Sequence, residues 1–481
     1  MTNLDRRVLI GMAGIAGAAA VSRLARAGSL DPPPGPVAPT GKTTDQIQPR
    51  IDLLNAPPSA NVTSDANNQY IINNPGSYFL SANLAITKSV GIKIVAANVS
   101  LDLCGFQLAG AGTSTFTGIA VAGSGAWIGN GSLLSLQYGV NVTGAATACT
   151  LSRVRAAQCA SVGLSLPRDS IVELCVADNN GYGISGSANC VLRDCTASSN
   201  TQTGFFADAG STLTRCTGSA NGFSGISTQG HCTLTECVAL SNASAAAPGI
   251  AGILVGSSCV LQRCISAYNR VTYGISMGVG TSVIDCSVSS NTGSAADARS
   301  SGIEAADGCL ISGCTVIYNA GSANTASNGV GIACSGQGTR VENCVVYSNT
   351  GSGISILDSR CAVKGCELSA NGFDGITVTG SSTSISENRC VGNNNGIHVV
   401  SGSAHVVERN HLLDNAVNGL QIDSNVCFVY ANLARSNPTN YSIAAGNRVG
   451  EIAVAATNAS AINGNSGGAA VTSDPYCNIA F

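Results

Sequence analysis

From about residue 150 onward, apolar and small residues recur in an order that can be written C-x-L-x-x-C-x-A-x-x-N-G-x-x-G-I. "NGFSGISTQGHCTLTECVALSN" from residue 221 is one copy, and "NGFDGITVTGSSTSISENRCVGNN" from residue 371 is another. The asparagine that closes each unit falls at Asn180, Asn200, Asn221, Asn242, Asn269, Asn291, Asn319, Asn349, Asn371, Asn393, Asn415 and Asn437, mostly 20 to 22 residues apart. Within a unit the apolar slots, such as Leu234, Val363 and the Ile after Gly, sit in short runs of period two broken by Gly, Asn and Ser. No stretch has a helical period. Each unit therefore reads as strand, turn, strand, turn, and a coil of that length stacks every strand parallel on its copy in the next unit, about 4.8 Å away. The right-handed crossover rule gives the hand. The expected fold is all-β, a single-stranded right-handed parallel β-helix of about 20–22 residues per rung. A leucine-rich repeat has a similar length but needs several leucines and a helical turn per unit, where this chain offers about one Leu, Val or Ile before the asparagine.

The 21 cysteines follow the same register. Nine stand five residues before the asparagine: Cys175, Cys195, Cys216, Cys237, Cys264, Cys286, Cys314, Cys344 and Cys366; the next three rungs place Asn388, Asn410 and Asn432 there. A position that accepts Cys or Asn in register is a stacking position at a turn. Seven more, Cys149, Cys190, Cys232, Cys259, Cys309, Cys361 and Cys427, lie five residues earlier and point inward by strand alternation. A straight ladder does not converge tetrahedrally, so zinc is not expected. Bridges between neighbouring rungs stay open, because Cα atoms about 4.8 Å apart are within disulfide reach.

On these repeats, over about residues 75 to 440, the chain resembles the right-handed parallel β-helix repeat proteins of the pectin-lyase-like superfamily. "NNPGSYFLSANL" and "NVSLDLCGFQLAG" resemble opening rungs of exported members, and "TNYSIAAGNRVG" with "SDPYCNIAF" resembles their closing segment. The resemblance implies the fold and some carbohydrate contact. It selects no reaction, because the superfamily includes pectate lyases, polygalacturonases, alginate epimerases, phage tailspikes and many proteins of unknown role. The paired-Asp, Gly-His-Gly and Arg-Ile-Lys motifs of a polygalacturonase-like site are missing from the sequence, as are a lyase-type calcium cluster and an epimerase signature.

The N-terminus adds a destination. Arg6 and Arg7, the apolar run from Val8 to Val21 and Ala25-Arg26-Ala27 resemble a twin-arginine export signal. The expected organisation is a signal peptide at 1–27, a proline-rich linker at 28–60, the β-helix with its N-terminal opening rungs at 61–440, and a C-terminal capping segment at 441–481. An exported protein at the cell surface, in the periplasm or outside the cell follows, with no stable membrane insertion once the signal is removed. Export of this kind follows folding in a reducing compartment, which favours free thiols over bridges. Beyond the leader, 19 basic residues stand against 25 acidic ones without a basic cluster, which excludes a nucleic-acid partner. Gly41-Lys42-Thr43 is one residue out of phosphate-loop spacing and lacks a preceding strand, so no nucleotide cofactor is expected.

Charge is scarce, at 10% of residues, and much of it is in register. The residue before the ladder cysteine reads Asp194, Arg215, Glu236, Arg263, Asp285, an alternation expected to form an exposed cross-strand ladder, with Glu387 and Arg409 repeating it. His231, His398, His405 and His411 occupy different repeat positions, so no metal site is expected. Rungs after Asn242, Asn291 and Asn319 are lengthened at one corner, and loops at 243–251, 292–301 and 320–330 would wall a groove for an extended polymer. The ionisable groups beside it are Glu304, Arg299, Asp307 and Tyr273 as candidate catalytic residues, with Asp297 and Asp358 as candidate substrate contacts. Glu304 and Asp358, two rungs apart, would be a marginal inverting pair. The function expected from these groups is binding or processing of an extended polysaccharide by lyase, epimerase or hydrolase chemistry. The alternative is a non-catalytic extracellular or cell-surface scaffold.

Overall fold

The computed structural model describes residues 50–55, 61–110, 115–243, 251–293, 299–321, 325–454 and 476–480. The signal and most of the proline-rich stretch lie outside them. The described chain is a parallel, right-handed β-solenoid of about 17 turns. Its first strand, Arg50–Asp52, lies within the stretch read as linker and pairs parallel with Gly76–Phe79.

The spacing of buried positions explains the shape of each rung. In "CVLRDCTASSN" the buried residues are Cys190, Leu192, Cys195, Ala197 and Asn200, so inward steps alternate two, three, two, three. A residue in the left-handed region stands just before Cys190, Cys195 and Asn200: Asn189 (φ 60°), Asp194 (φ 54°) and Ser199 (φ 54°). Each bends the chain through a corner and restores the inward phase. The rung therefore carries three short strands, here Val191–Arg193, Thr196–Ser198 and Phe205–Ala207, where two were expected. The third corner was hidden because a single left-handed residue leaves no Gly-Pro signature. The first two strands of successive rungs build a 34-stranded sheet with two ribbons, and the Gly-Ile strands build a separate face.

Along the Gly-Ile face the inward column runs in register through Ile226, Ile253, Ile275, Ile303, Ile332, Ile354, Ile376, Ile397 and Leu420, all fully buried. Each buried aliphatic side chain contributes about 1.5–3 kcal/mol. The column fixes register, since a one-residue slip would turn it outward.

The corners explain the cysteines and asparagines. The residue after each bend has an inward N–H, and the side chain one rung on accepts it. Asn200 N donates to Asn221 Oδ1 at 3.1 Å, Cys190 N to Ser211 Oγ at 3.1 Å, Cys264 N to Cys286 Sγ at 3.3 Å and Cys366 N to Asn388 Oδ1 at 2.9 Å. On most rungs these buried positions carry an acceptor, which is why Cys, Ser, Thr and Asn interchange there, while the opening rungs place Leu136 and Val154 in the same columns. All 21 cysteines are free. Burial pushes the thiols of Cys149 and Cys190 up, and that of Cys159 to about 12.

The charge ladder is partly as expected. Arg215 grips Asp194 through two bonds, of 2.6 and 2.8 Å, and Arg263 pairs with Glu236 at 3.0 Å. Glu387 and Arg409 depart from it: Glu387 pairs with Lys364 at 3.6 Å, and Arg409 reaches its own neighbour Glu408 at 3.1 Å. Lysine and arginine side chains are long enough to choose a nearer carboxylate over the one in register.

Candidate functional site

The expected site divides when its residues are placed. Glu304 lies mid-strand on the outer side of the Gly-Ile face, in register with Ser276 on one rung and Ala333 on the next. Ser301 Oγ donates to its Oε2 at 3.2 Å. Burial raises the Glu304 carboxyl, against the pull of Ser335, Ser301 and the guanidinium of Arg299. Arg299, Ser301, Glu304, Val330 and Ser355 line a cleft of about 10 Å³, room for one water and no more. Tyr273 opens its Gly-Ile strand one rung earlier, opposite Ser301.

Asp307 and Asp358 stand apart from this cleft, on the turn beyond the strand end. Asp307 Oδ1 accepts the N–H of Gln337 at 2.8 Å, and Asp358 Oδ1 accepts that of Ser359 at 2.7 Å. Both carboxylates hold turns. Asp297 lies outside the described residues, as do 244–250, 294–298 and 322–324 of the lengthened corners, so the groove walls are described only in part.

A second cluster further along the same face was not singled out from the sequence. Asp374 precedes Gly375-Ile376, His398 follows Gly396-Ile397 one rung later, and Asp423 closes the Asn418–Ile422 strand on the rung after that. His398 Nδ1 lies 3.1 Å from Asp374 Oδ2, and His398 Nε2 lies 2.8 Å from Asp423 Oδ2. Asp374 is the inner partner, with its side chain 7% exposed, against 19% for His398 and 48% for Asp423. Three amides complete a ring. Gln421 Nε2 donates to Asp423, Asn418 Nδ2 to Gln421 Oε1 at 2.9 Å, Asn418 Nδ2 also to Asn395 Oδ1 at 2.9 Å, and Asn395 Nδ2 to Asp374 Oδ1 at 2.7 Å. Six side chains on three rungs thus close one hydrogen-bonded circuit. Thr377 ties it to the preceding rung, accepting from Ser352 at 2.9 Å while donating to Asp374 at 3.1 Å.

Asp374 accepts from Asn395 N, Asn395 Nδ2 and Thr377 Oγ1. With a carboxylate facing each ring nitrogen, the site favours His398 donating from both, as an imidazolium. Burial opposes that charge, but the hydrogen bonds to Asp374 and Asp423 outweigh it and raise the His398 pKa. The His398 bond lowers Asp423 in turn. Asp423 also borders an open cavity of about 330 Å³ lined by Val400, Ser401, Gly402, Asn425 and Ala445. That size suits a small ligand or one end of a larger one.

The other histidines stay apart. His405 is fully buried in the first corner column, accepting Thr383 N on Nδ1 at 3.4 Å and donating Nε2 to Ser401 O at 3.2 Å, and burial lowers its pKa. Among the described residues no group of three or more His, Cys, Asp or Glu is placed to hold a metal ion. The signal for the His398 cluster was in the sequence. Asp374, Asn395 and Asn418 share the slot before Gly, and Thr377, His398 and Gln421 share the slot after Gly-Ile or Gly-Leu, so three successive rungs put polar groups side by side.

A family model described as a right handed beta helix region matches residues 83–239, 138–316 and 303–479. No curated protein matches the chain. Among solved structures, the A-module of the Azotobacter vinelandii mannuronan C-5 epimerase AlgE4 is 13% identical, with 76% of this chain and 91% of that chain covered and a TM-score of 0.27. The periplasmic alginate epimerase AlgG is 12% identical, with 80% and 83% covered and a TM-score of 0.32. The catalytic unit of a thermostable GH87 alpha-1,3-glucanase from Streptomyces thermodiastaticus is 11% identical, with 73% and 61% covered and a TM-score of 0.26. At such identities and scores these likenesses carry no argument about function.

Proposed function

We propose, for a chain that belongs to the right-handed β-helix family, an exported protein that binds and processes an extended polysaccharide along the outer side of its Gly-Ile face. One observation carries the reading: Asp374, His398 and Asp423 form an ordered acid–base chain that runs from the buried side of that face to solvent. Glu304 lies in the same outward register line, four rungs away through Ala333, Ser355 and Thr377. At about 4.8 Å per rung this is roughly 19 Å. The two are too far apart to act on one bond, and the separation suits contacts at two points on a polymer. Asp374 orients the imidazole, His398 carries the proton, and Asp423 is the carboxylate that meets the ligand. Arg299 and Glu304 serve as a remote contact, with Tyr273 on the preceding rung. Export rests on Arg6, Arg7 and the apolar run after them.

A scaffold without catalysis is the second reading, and a specific observation favours it: the hydrogen-bonded ring leaves neither nitrogen of His398 open. Incubating the purified mature protein with a panel of polysaccharides, and assaying both retention and new ends, separates the two. Turnover that disappears in His398→Gln supports processing. Retention without product, unchanged in His398→Gln, supports the scaffold, and neither retention nor product overturns the polysaccharide reading.

A further inference from the structure

Resting on that polysaccharide reading, we infer that the glycan taken at the His398 end of the face is uncharged. The inference comes from the charges that an extended ligand would meet. From Asn349 to Ile443, Arg360, Lys364, Arg389, Arg409 and Arg435 are the Lys and Arg residues of the sequence. Lys364, Arg389 and Arg435 lie on strands of the two-ribbon sheet, and Arg360 and Arg409 occupy its left-handed corners. None is on a Gly-Ile strand or on the turn leading into one. The same rungs place two carboxylates on the face, Asp374 and Asp423, against the single imidazole of His398, which is shared between them, while Asp358 and Arg360 stand together on the turn beyond the Ile354–Ile356 strand.

A polyuronate brings one carboxylate per sugar, and each needs a cation or several N–H donors when it leaves water. The face offers hydroxyl and amide groups: Ser355, Thr377, Gln421 and Ser442 are successive or nearly successive members of its outward line. Such groups match sugar hydroxyls as donors and acceptors alike. Phe373, half-buried on the turn into the Ile376 strand, supplies an apolar surface next to Asp374 for a sugar ring. The excess negative charge also stabilises positive charge developing at an anomeric carbon, as the cleavage of a neutral glycoside requires. The contrast within the molecule is the other end of the line, where Arg270 and Arg299 are exposed on the turns entering the strands of Tyr273 and Glu304.

The test compares neutral polymers (a glucan, a xylan and a mannan) with polygalacturonate and alginate, using the full mature chain at low salt. Retention or turnover of at least one neutral polymer, and of neither polyuronate, is expected. The double variant Gln421→Lys with Ser442→Lys should gain polyuronate retention at least 10-fold, and a circular-dichroism melt checks that it folds. Wild-type protein that takes a polyuronate as well as or better than every neutral polymer overturns the inference while leaving the polysaccharide reading in place. No retention or turnover of any polymer overturns that reading itself.

Discussion

His398 Nε2 lies 2.8 Å from Oδ2 of Asp423, which is 25 residues later in the chain and one rung on in space. The contact exists only because adjacent Gly-Ile strands are in register, His398 opposite Gln421. It makes His398 a reporter of that register and the first group to test.

The His398 pKa is raised above its ordinary 6.5. A histidine with a raised folded-state pKa contributes stability that is fully present below about pH 6.5 and is lost as pH rises through the raised value. The melting temperature is expected to fall over that window, and His398→Gln to flatten the profile there. An NMR titration of the imidazole should give a midpoint above 6.5 that drops in Asp423→Asn. A midpoint at or below 6.5 in the wild-type protein would refute the imidazolium assignment. If the cluster is catalytic, His398→Gln lowers turnover by about 100- to 10,000-fold with little change in retention.

Asn221→Ala should cost roughly 3 kcal/mol. Its Oδ1 accepts Asn200 N and Asn200 Nδ2, and its Nδ2 donates to Ala197 O and Asn242 Oδ1, so truncation strands several buried polar groups at once. Urea denaturation measures it. A loss below about 1 kcal/mol would mean that water replaces the ladder.

Thiol accessibility separates the corner columns from the rest. Cys104 is exposed and Cys477 half-exposed, while the other 19 are buried. At about pH 8 a disulfide reagent should modify only these two in the folded protein and all 21 after denaturation. Fewer than 21 in denaturant without reductant would reveal bridges formed after export.

Tyr268 stands in the left-handed region at φ 55° and is 63% exposed, where the equivalent position on another rung is Asn179 at φ 56°. Asparagine tolerates that conformation and tyrosine does not. Tyr268→Asn is expected to stabilise the protein by roughly 0.5–1 kcal/mol in chemical denaturation, and destabilisation would show that the ring packs on the rung below.

Much of the fold was legible because its two periodicities are written in residue type. The 20-residue step is marked by Asn200 and its copies, and the buried columns by Leu192 and Ile226. The three-sided rung was not, because Asp194 and Arg215 look like ordinary surface charges and nothing in their identity announces a left-handed backbone. The expected site suffered from the same gap. Asp307 and Asp358 were judged by charge, but whether a carboxylate faces a groove or caps a turn depends on the two or three residues between it and the strand end. His398 was legible only across rungs: its partners are 24 and 25 residues away and become neighbours through register alone.

The corner columns also have a direction. The inward N–H groups of Cys190, Asn200, Cys264 and Cys366 are each met by the rung that follows, and near the C-terminal end Asn447 accepts Cys427 N at 2.8 Å and Asn478 accepts Asn432 N at 3.1 Å. The stack is therefore vectorial, like a filament with unlike ends. Its leading tip during synthesis always carries unanswered donors, while the tip made first carries acceptors with lone pairs to spare. Shortening the chain from the C-terminal side exposes a new set of donors with each rung removed, and shortening it from the N-terminal side does not. Asn478 thus answers the donors of Asn432, accepting both its N–H and its Nδ2.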